Sequence, residues 1–377
     1  MKNYYKVPVN QPSLLGNEKK YLMRCLNEGF VSSAGPMVKK FESEFAKKVN
    51  RKFAISVSNG TAALQLAYES LNLKRKDEVI LPSFTIISCI LPVIRNGAKP
   101  ILVDSDPRTW NIDVDKIEKK ITSKTKLIIV PHIYGLPAEM NSILKIAKKY
   151  KLKVLEDAAE VLGLTYKKKM CGSFGDVSIF SFYANKHITT GEGGMIVTND
   201  KKIAEKCKSL RNICFNNERR FLHYDLGWNY RFTNLQSALG LAQLEQLNKF
   251  VIKKRKIGEI YNKNLSKIKF FDTQLKKIKY AKNIYWVYGL LLKKNSPINL
   301  KSLMEKLKKS GVETRNFFWP LHQQPILRKM GLFKNTKLPV SEYLARNGLY
   351  LPSGLALTLN QQKFVIKQIK KIFSKYL

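Results

Sequence analysis

SIFSFYANKHITTGEGGM, which spans Ser178–Met195, is the most informative stretch of this chain. Its apolar residues Ile179, Phe180 and Phe182 predict a short buried strand that leads to Lys186. A serine lies five residues before this lysine, and a GEGG turn begins five residues after it. Burial at a sheet edge lowers the pKa of a lysine, and the neutral amine can then attack a carbonyl, as Schiff-base chemistry requires. The alternative is a solvated surface lysine.

A carboxylate follows a second predicted strand upstream. Val154 and Leu155 end an apolar segment after a helical stretch over Ser142–Lys151, so Asp157 falls at the carboxyl end of that strand. Open α/β sheets bind ligands outside the carboxyl ends of their strands. A carboxylate there can keep the pyridine nitrogen of pyridoxal phosphate protonated, which makes the ring an electron sink. The alternative is that Asp157 caps a following helix.

A third motif, SVSNGTAALQLAYESL, covers Ser56–Leu71 and begins with small polar residues. An amphipathic helix follows them. Gly60 and Thr61 would place free backbone N–H groups at its N-terminus, where a phosphate can bind. The same pattern also fits an ordinary helix start.

Between Phe53 and about Asp200, short apolar segments alternate with helical ones. Such alternation predicts an α/β fold with a mostly parallel sheet of seven strands and helices on both faces. Two amphipathic helices, Asn17–Leu26 and Val38–Val49, precede it. The strands are predicted over Ala54–Val57, Glu78–Leu81, Pro100–Val103, Leu127–Val130, Lys153–Leu155, Val177–Phe180 and Met195–Thr198.

The helix Asn234–Phe250 is expected to close this large domain, which we place at residues 1–250. A smaller α+β domain is expected over residues 251–377, and Lys253–Ser266 is predicted to be a helix that connects the two. The other elements predicted in the smaller domain are the strand Tyr285–Leu292 and the helices Leu300–Ser310 and Gln361–Tyr376.

The chain carries 68 basic and 28 acidic residues, a net charge of +40. Such a charge suggests nucleic acid or an anionic surface as a partner. Yet the lysines are spread along all 377 residues, and no basic arm or nucleic-acid module is visible. We therefore interpret most of them as solvated helix faces that also attract a nucleotide diphosphate. No specific nucleic-acid partner is expected.

Cysteine and histidine usage indicates neither disulfides nor a metal site. The five cysteines are odd in number and lack CxxC spacing, which favours free thiols in a reducing cytosol. The four histidines do not cluster in the sequence. The start of the chain lacks the apolar core of a secretion signal, and the longest uncharged run, Val79–Ile94, is too short to span a membrane. A cytoplasmic protein is expected.

Seven segments together resemble the DegT/StrS family of nucleotide-sugar aminotransferases, which are fold-type I pyridoxal-phosphate enzymes. The similarity is greatest to the perosamine synthetase-like members, and it runs from about Val7 to the C-terminus. In chain order the segments are SNGTAAL, LPSFTII, VDSDPRTWNID, VPHIYGLPAEM, LEDAAE, GSFGDVSIFSFYANKHITTGEGGMIVTND and GWNYRFTNLQSALGLAQLEQL.

This resemblance implies roles for individual residues. Lys186 matches the Schiff-base lysine, and Asp157 matches the partner of the pyridine nitrogen. Ser181 matches a phosphate-binding hydroxyl, with Gly60 and Thr61 as the backbone part of that site. The remaining matches are Glu160, at a ring-side position that is Gln, Glu or His across the family, and Asn229, which reaches the phosphate of the neighbouring subunit.

One position departs from the family pattern. The second residue after PSF is often an aromatic that stacks on the cofactor ring, and here it is Ile86. An aliphatic side chain can cover a ring face but loses about 0.5–1.5 kcal/mol of aromatic stacking. Phe84 could replace the missing ring only if the backbone directed it there.

Three further residues are candidate substrate ligands. Arg315 and His322 lie in ETRNFFWPLHQQP, which the resemblance places on the substrate side of the cleft, and Arg231 lies in NYRFTN. Cationic side chains there could contact the substrate phosphates. The alternative for the first two is a packed loop that anchors the small domain.

The resemblance implies an aminotransferase that moves an amino group from glutamate to a nucleotide-diphosphate-linked 4-keto-6-deoxy sugar. Perosamine or viosamine would be typical products, used in surface glycans, and 2-oxoglutarate would leave. A homodimer with shared active sites is expected. Two alternatives remain open: a dehydratase of the same fold, in which histidine replaces the lysine, and a non-catalytic regulatory or nucleic-acid-binding protein.

Overall fold

The computed structural model describes residues 5–216 and 218–376, and a seven-stranded sheet lies at its centre. The predicted mostly parallel sheet is confirmed: one strand, Gly194–Thr198, runs antiparallel to both of its neighbours, and the other pairings are parallel. Each of the seven strands predicted for this sheet matches an observed one to within two residues at either end, whereas the strand predicted over Tyr285–Leu292 begins only at Tyr288. The spatial order is Phe53–Val57, Gly194–Thr198, Val177–Ser181, Lys153–Asp157, Thr125–Pro131, Glu78–Pro82 and Lys99–Val103.

The strands are apolar along nearly their whole length because helices cover both faces of the sheet. Two large apolar cores, one on each face, result from this arrangement. The α-helices of the described residues are Glu18–Asn27, Pro36–Lys48, Gly60–Glu69, Leu91–Arg95, Met140–Lys149, Lys201–Arg211, Asn234–Glu245, Leu247–Leu265, Leu300–Lys309, Pro325–Lys329, Pro339–Asn347 and Leu359–Phe373.

A second, antiparallel sheet lies in the C-terminal part of the chain and has its own apolar core. Its strands, in spatial order, are Phe271–Thr273, Tyr288–Leu292, Gly348–Leu351 and Arg315–Asn316. Two short hairpins complete the strands: Thr165–Tyr166 with Lys169–Met170, and Lys277–Ile278 with Ala281–Lys282.

The helix Leu247–Leu265 connects the two sheets and crosses the boundary that we predict between residues 250 and 251. Its first turns, including Phe250, pack in a core of the large sheet, and Tyr261 packs in the core of the second sheet. The helix predicted over Asn234–Phe250 ends at Glu245, and after Gln246 the next helix begins at Leu247. The division into residues 1–250 and 251–377 stays a prediction, and its outermost residues lie outside the described ranges.

All five cysteines are buried and free, as the sequence predicts. Within residues 5–216 and 218–376, no helix combines the length and the apolar character needed to cross a bilayer.

Candidate active site

A cavity of about 550 Å³ opens at the carboxyl ends of the central parallel strands. Pro131, Asp157 and Ser181, each the last residue of its strand, line it. The position agrees with the general rule for ligand sites in open α/β sheets. Seven of the candidate residues from the sequence line this cavity together: Gly60, Thr61, Ile86, Asp157, Glu160, Ser181 and Lys186.

Lys186 projects into this cavity from the turn that follows the strand Val177–Ser181. Its backbone N–H donates to the carbonyl of Tyr183 at 2.9 Å, which shapes the turn. Its Nζ lies 3.9 Å from Oε1 of Glu160 and 3.8 Å from the ring centroid of Trp286. Burial lowers the pKa of Lys186, although the neighbouring carboxylates raise it in part. The amine is therefore closer to its nucleophilic, neutral form than an exposed lysine is.

Asp157 ends its strand without starting a helix, because residues 158–164 contain none. Its Oδ1 accepts from the N–H of Ala159 at 3.0 Å, and its Oδ2 accepts from the thiol of Cys89 at 3.3 Å. Burial raises the pKa of Asp157. A cationic ligand in the cavity would favour the charged carboxylate, so the residue is suited to face a protonated ring nitrogen.

The opposite end of the cavity suits a phosphate. The helix Gly60–Glu69 begins there, and the first N–H groups of an α-helix have no partners within it. Asn59 caps the helix by accepting from the N–H of Ala62 at 2.8 Å. Ser181 faces the same helix start: a Cβ on Gly60 would lie 2.9 Å from the Cβ of Ser181.

The GEGG turn brings its last glycine against this helix start. A Cβ on Gly194 would lie 2.6 Å from the carbonyl oxygen of Asn59 and 3.0 Å from the nitrogen of Gly60. Any larger residue would push the helix N-terminus away from the strand that carries Ser181. This close approach explains why the segment Ser178–Met195 needs glycine here.

The residues around the cavity fit pyridoxal phosphate. A helix N-terminus and the Ser181 hydroxyl match its phosphate, the Asp157 carboxylate matches its ring nitrogen, and the Lys186 amine matches its aldehyde. Ile86 also lines the cavity and is 44% exposed, so an aliphatic face is available to cover a ring. Phe84 does not replace the missing aromatic, because it is buried against Tyr134, Phe317 and Phe318.

Four candidate residues do not line the cavity. Asn229 is exposed, and its backbone forms an isolated β-bridge with Asn212. Arg231 donates to the side-chain oxygen of Asn212 at 2.9 Å. Arg315 is exposed and pairs with Glu313 at 3.2 Å. Within one subunit, none of these three reaches Lys186.

His322 is the fourth and is fully buried. Its Nδ1 lies 2.7 Å from the hydroxyl of Ser83, and its Nε2 lies 3.1 Å from Oε1 of Glu342. These bonds connect the large sheet to the C-terminal part of the chain. The contacts match the alternative of a packed anchor better than a substrate ligand.

Several residues of the cavity were not anticipated from the sequence. Trp286, Phe318 and Tyr350 come from the C-terminal part, and of these only Phe318 lies in a segment singled out from the sequence, ETRNFFWPLHQQP. Ser88 was also missed, although it follows LPSFTII closely and its hydroxyl lies 2.9 Å from that of Thr61. The serine could have been found from its proximity to the motif and Phe318 from its place in that aromatic segment, whereas Trp286 and Tyr350 carry no local signal.

A buried group of His132, Glu156 and Cys171 lies close together, although the histidines are scattered in the sequence. The Nδ1 of His132 accepts from the N–H of Ala138 at 3.1 Å, so its Nε2–H donates to Glu156 at 3.0 Å. Burial alone would raise the pKa of Glu156, but hydrogen bonds from His132 and backbone N–H groups lower it to about 2. The group is a saturated hydrogen-bond network that braces the strands.

The Glu160 carboxylate gives the cavity a measurable pH dependence. Burial raises the pKa of Glu160 above its ordinary value, although the neighbouring Lys186 amine lowers it in part, so ionisation of this carboxyl destabilises the folded protein as the pH rises above the ordinary carboxyl pKa. In Glu160→Gln the amide oxygen can still accept from the N–H of Tyr134, which now bonds Oε2 at 2.7 Å. We expect the free energy of unfolding of the variant to rise relative to that of wild type as the pH increases over this range.

Denaturant unfolding of the cofactor-free proteins between pH 5 and pH 9 measures this difference. Glu305→Gln, which changes an exposed carboxylate, is the matched control and should follow wild type. Parallel curves for wild type and Glu160→Gln would show that the carboxylate does not carry this pH dependence.

Comparison with known proteins agrees with this geometry. A model of the DegT/DnrJ/EryC1/StrS aminotransferase family matches residues 12–370. GDP-perosamine synthase from Escherichia coli O157:H7 is 41% identical over 368 residues, which cover 98% of this chain and 99% of that protein.

Solved structures show the same fold over nearly the full length. PseC of Helicobacter pylori, an aminotransferase involved in the biosynthesis of pseudoaminic acid, has a TM-score of 0.93 at 26% identity, with 98% and 99% of the two chains covered. The E. coli GDP-4-keto-6-deoxy-D-mannose-3-dehydratase with bound hydrated pyridoxal phosphate has a TM-score of 0.89 at 26% identity, with 97% and 100% covered.

Proposed function

The chain belongs to the DegT/DnrJ/EryC1/StrS aminotransferase family, and from that premise we propose that it makes a GDP-linked 4-amino-4,6-dideoxy sugar of the perosamine type. It is a pyridoxal-phosphate-dependent nucleotide-sugar aminotransferase. The proposed acceptor is a GDP-linked 4-keto-6-deoxy sugar, and the proposed amino donor is glutamate, which leaves as 2-oxoglutarate. The product would be a precursor of surface glycans. We place the enzyme in the cytoplasm, because its five free cysteines are stable in a reducing compartment.

One observation carries the proposal: Lys186 lies in the same cavity as Asp157, Glu160 and Ser181. These residues come from two segments of the chain, and the fold brings an amine, two carboxyl groups and a hydroxyl to one sheet edge. The relatives that are GDP-perosamine synthases support the choice of nucleotide and sugar. The lysine supports a transaminase over a dehydratase, since the dehydratases of this fold carry histidine in its place.

We assign roles to the residues as follows. Pyridoxal phosphate supplies an aldehyde that takes up the amino group and a ring that accepts the electron pair released at the donor Cα. The N–H groups of Gly60 and Thr61 and the Ser181 hydroxyl bind its phosphate. Asp157 would keep its ring nitrogen protonated, and the Lys186 amine would take the proton from the donor Cα and deliver it to the cofactor carbon that carries the aldehyde.

The aminotransferase assignment is tested directly with purified protein, glutamate and a panel of GDP-, UDP- and dTDP-linked 4-keto-6-deoxy sugars. We expect an amino sugar and 2-oxoglutarate in equal amounts, with the GDP-linked substrate turned over fastest. Mass spectrometry identifies the sugar product. A deoxygenated keto sugar without new nitrogen would indicate the dehydratase, and no turnover of any member of the panel would contradict both assignments.

A homodimer is part of the proposal because Asn229 is exposed instead of lining its own cavity. The segment before it exposes large apolar side chains: Phe221, Tyr224 and Leu226 are 79%, 82% and 88% exposed. Such exposed apolar groups are typical of protein–protein contacts. We propose that this segment packs on a second copy and brings Asn229 to the phosphate site of that copy.

Mixing two variants tests whether the sites are shared. In a heterodimer of Lys186→Ala and Asn229→Ala chains, the intact Lys186 lies on the Asn229→Ala chain and receives its asparagine from the partner. That site is wild type, so activity per intact lysine should rise above that of the Asn229→Ala homodimer. We expect the Asn229→Ala homodimer to bind the cofactor about 10-fold or more weakly than wild type, because one charge-assisted hydrogen bond is lost.

Subunit exchange is confirmed by purifying heterodimers through two different tags. If Asn229 acts within its own chain, purified heterodimers show no such rise, and the shared site is then excluded.

A further inference from the structure

The aromatic face of Trp286 lies directly against the reactive amine of the cavity. The Lys186 Nζ is 3.8 Å from the ring centroid, within the distance at which an indole attracts a cation. The indole N–H donates to the carbonyl of Asn185 at 2.9 Å, so the ring is tied to the turn that carries the lysine. Trp286 is 4% exposed, and an attraction between ion and ring is stronger when water is excluded.

The backbone of this tryptophan is held from behind by a second buried lysine. The Nζ of Lys254, on the helix Leu247–Leu265, donates to the carbonyls of Trp286 at 2.7 Å and of Ser353 at 2.5 Å. Burial lowers the pKa of Lys254 to about 7, and no carboxylate contributes to this shift. Its acceptors are backbone carbonyls, so its Nζ–H groups bridge two C-terminal segments.

The segment before Trp286 is also tightly fixed. Tyr285 has a φ of +49°, a strained conformation for a bulky residue. Its ring packs closely against Gly258 of the helix Leu247–Leu265. A Cβ on this glycine would lie only 2.4 Å from a ring carbon of Tyr285. The N–H of Ile284 donates to the carbonyl of Gly135 at 3.0 Å. Such strain persists only where the surroundings enforce it, so the position of the indole is built into the fold.

We propose that Trp286 is the surface on which the Lys186 amine rests whenever it is free, and that Lys254 is a positioning residue that holds Trp286 in place. The proposal rests on the proposed role of Lys186. In each turnover the Lys186 amine is released from the cofactor and must later attack it again. A fixed resting surface keeps the released amine close to the position from which it reacts. The ring attracts only the ammonium form and thereby opposes the effect of burial.

Other charged groups face the same amine and set the background for a test. Burial lowers the pKa of Lys186, and Glu160, Asp157 and Cys89 raise it. The adjacent His187 is fully buried, and burial lowers its pKa well below the ordinary value, so it is neutral. Replacing the indole leaves all of these groups in place but removes its bond to Asn185, so the difference between a phenylalanine and a leucine replacement reports on the π face.

The test uses the full-length cofactor-free protein with pyridoxal phosphate as the probe. Borohydride traps the bound probe, and peptide mapping identifies the labelled lysine. The rate of labelling is measured against pH. In Trp286→Leu, which keeps apolar volume without a π face, the half-maximal pH should fall by about half a unit to one unit. Trp286→Phe, which keeps a weaker π face, should lie between this variant and wild type.

Lys254→Met tests the positioning role, with Lys253→Met on the exposed face of the same helix as the matched control. We expect Lys254→Met to lower the half-maximal pH as Trp286→Leu does, while the control follows wild type. A merely structural lysine would lower the melting temperature and leave this pH unchanged. Lys254→Gln, which keeps an N–H donor, replaces the methionine variant if that protein does not fold.

The possible outcomes separate the two proposals. Labelling at Lys186 with an unchanged half-maximal pH in Trp286→Leu overturns the role of the indole and leaves the proposed function intact. Labelling at a different lysine overturns the proposed function itself. A lowered half-maximal pH in Trp286→Leu but not in Lys254→Met retains the resting surface and refutes the positioning role.

Discussion

Lys186→Ala is expected to lower transamination by about 10⁴-fold or more, because in the proposed mechanism one amine supplies both the covalent link to the cofactor and the proton shuttle. Among the described residues that line the cavity, Lys186 is the only lysine. Lys254, the nearby buried lysine, donates to two backbone carbonyls and cannot take over without breaking both bonds. The measurement is the rate of 2-oxoglutarate formation with a saturating keto sugar.

The variant should stay folded and should still bind pyridoxamine phosphate. The helix start at Gly60, Ser181 and Asp157 are unchanged, and their contacts do not pass through the lysine. Lys201→Ala removes an exposed lysine and is the matched control, with activity expected at the wild-type level. Turnover by Lys186→Ala within about 100-fold of the wild-type rate would contradict the catalytic role proposed for this lysine.

The main sheet and half of the cavity follow from local patterns in the sequence. Strands buried on both faces appear as continuous apolar runs, so their bounds were predicted closely. Asp157 and Ser181 are strand ends, and the carboxyl ends of parallel strands meet at one edge, so their proximity to Lys186 follows from topology. The glycine that admits the helix start, Gly194, lies in the same motif as the lysine.

The other half of the cavity was not predicted because it depends on packing between distant segments. Trp286 lies about a hundred residues after Lys186, and only the fold of the helix Leu247–Leu265 brings it over the amine. The same limit applies to His322, where an aromatic-rich loop suggested a substrate ligand. Its ring is instead held between Ser83 and Glu342, a pairing that no local pattern indicates.

Asp157→Asn should lower kcat by about 100-fold to 1,000-fold while leaving the fold and the KM for the keto sugar nearly unchanged. The amide oxygen can still accept from the N–H of Ala159, now 3.0 Å from Oδ1, so packing at the strand end is retained. In the proposed mechanism, what is lost is the negative charge that keeps the ring nitrogen protonated, and this charge matters most when electrons move into the ring.

The measurement is steady-state kinetics of both half-reactions, with Asp272→Asn as the matched control because its carboxylate is exposed and pairs with a surface lysine. Burial raises the pKa of Asp157 in the cofactor-free protein, and a cation bound in the cavity would lower this pKa again. Cofactor binding to wild type should therefore release a proton from this carboxyl as the pH falls toward its raised pKa, and Asp157→Asn should lack this release. An unchanged kcat in Asp157→Asn would contradict the proposed role of the carboxylate at the ring nitrogen. Asp157 would then only stabilise the turn through its hydrogen bonds with Ala159 and Cys89.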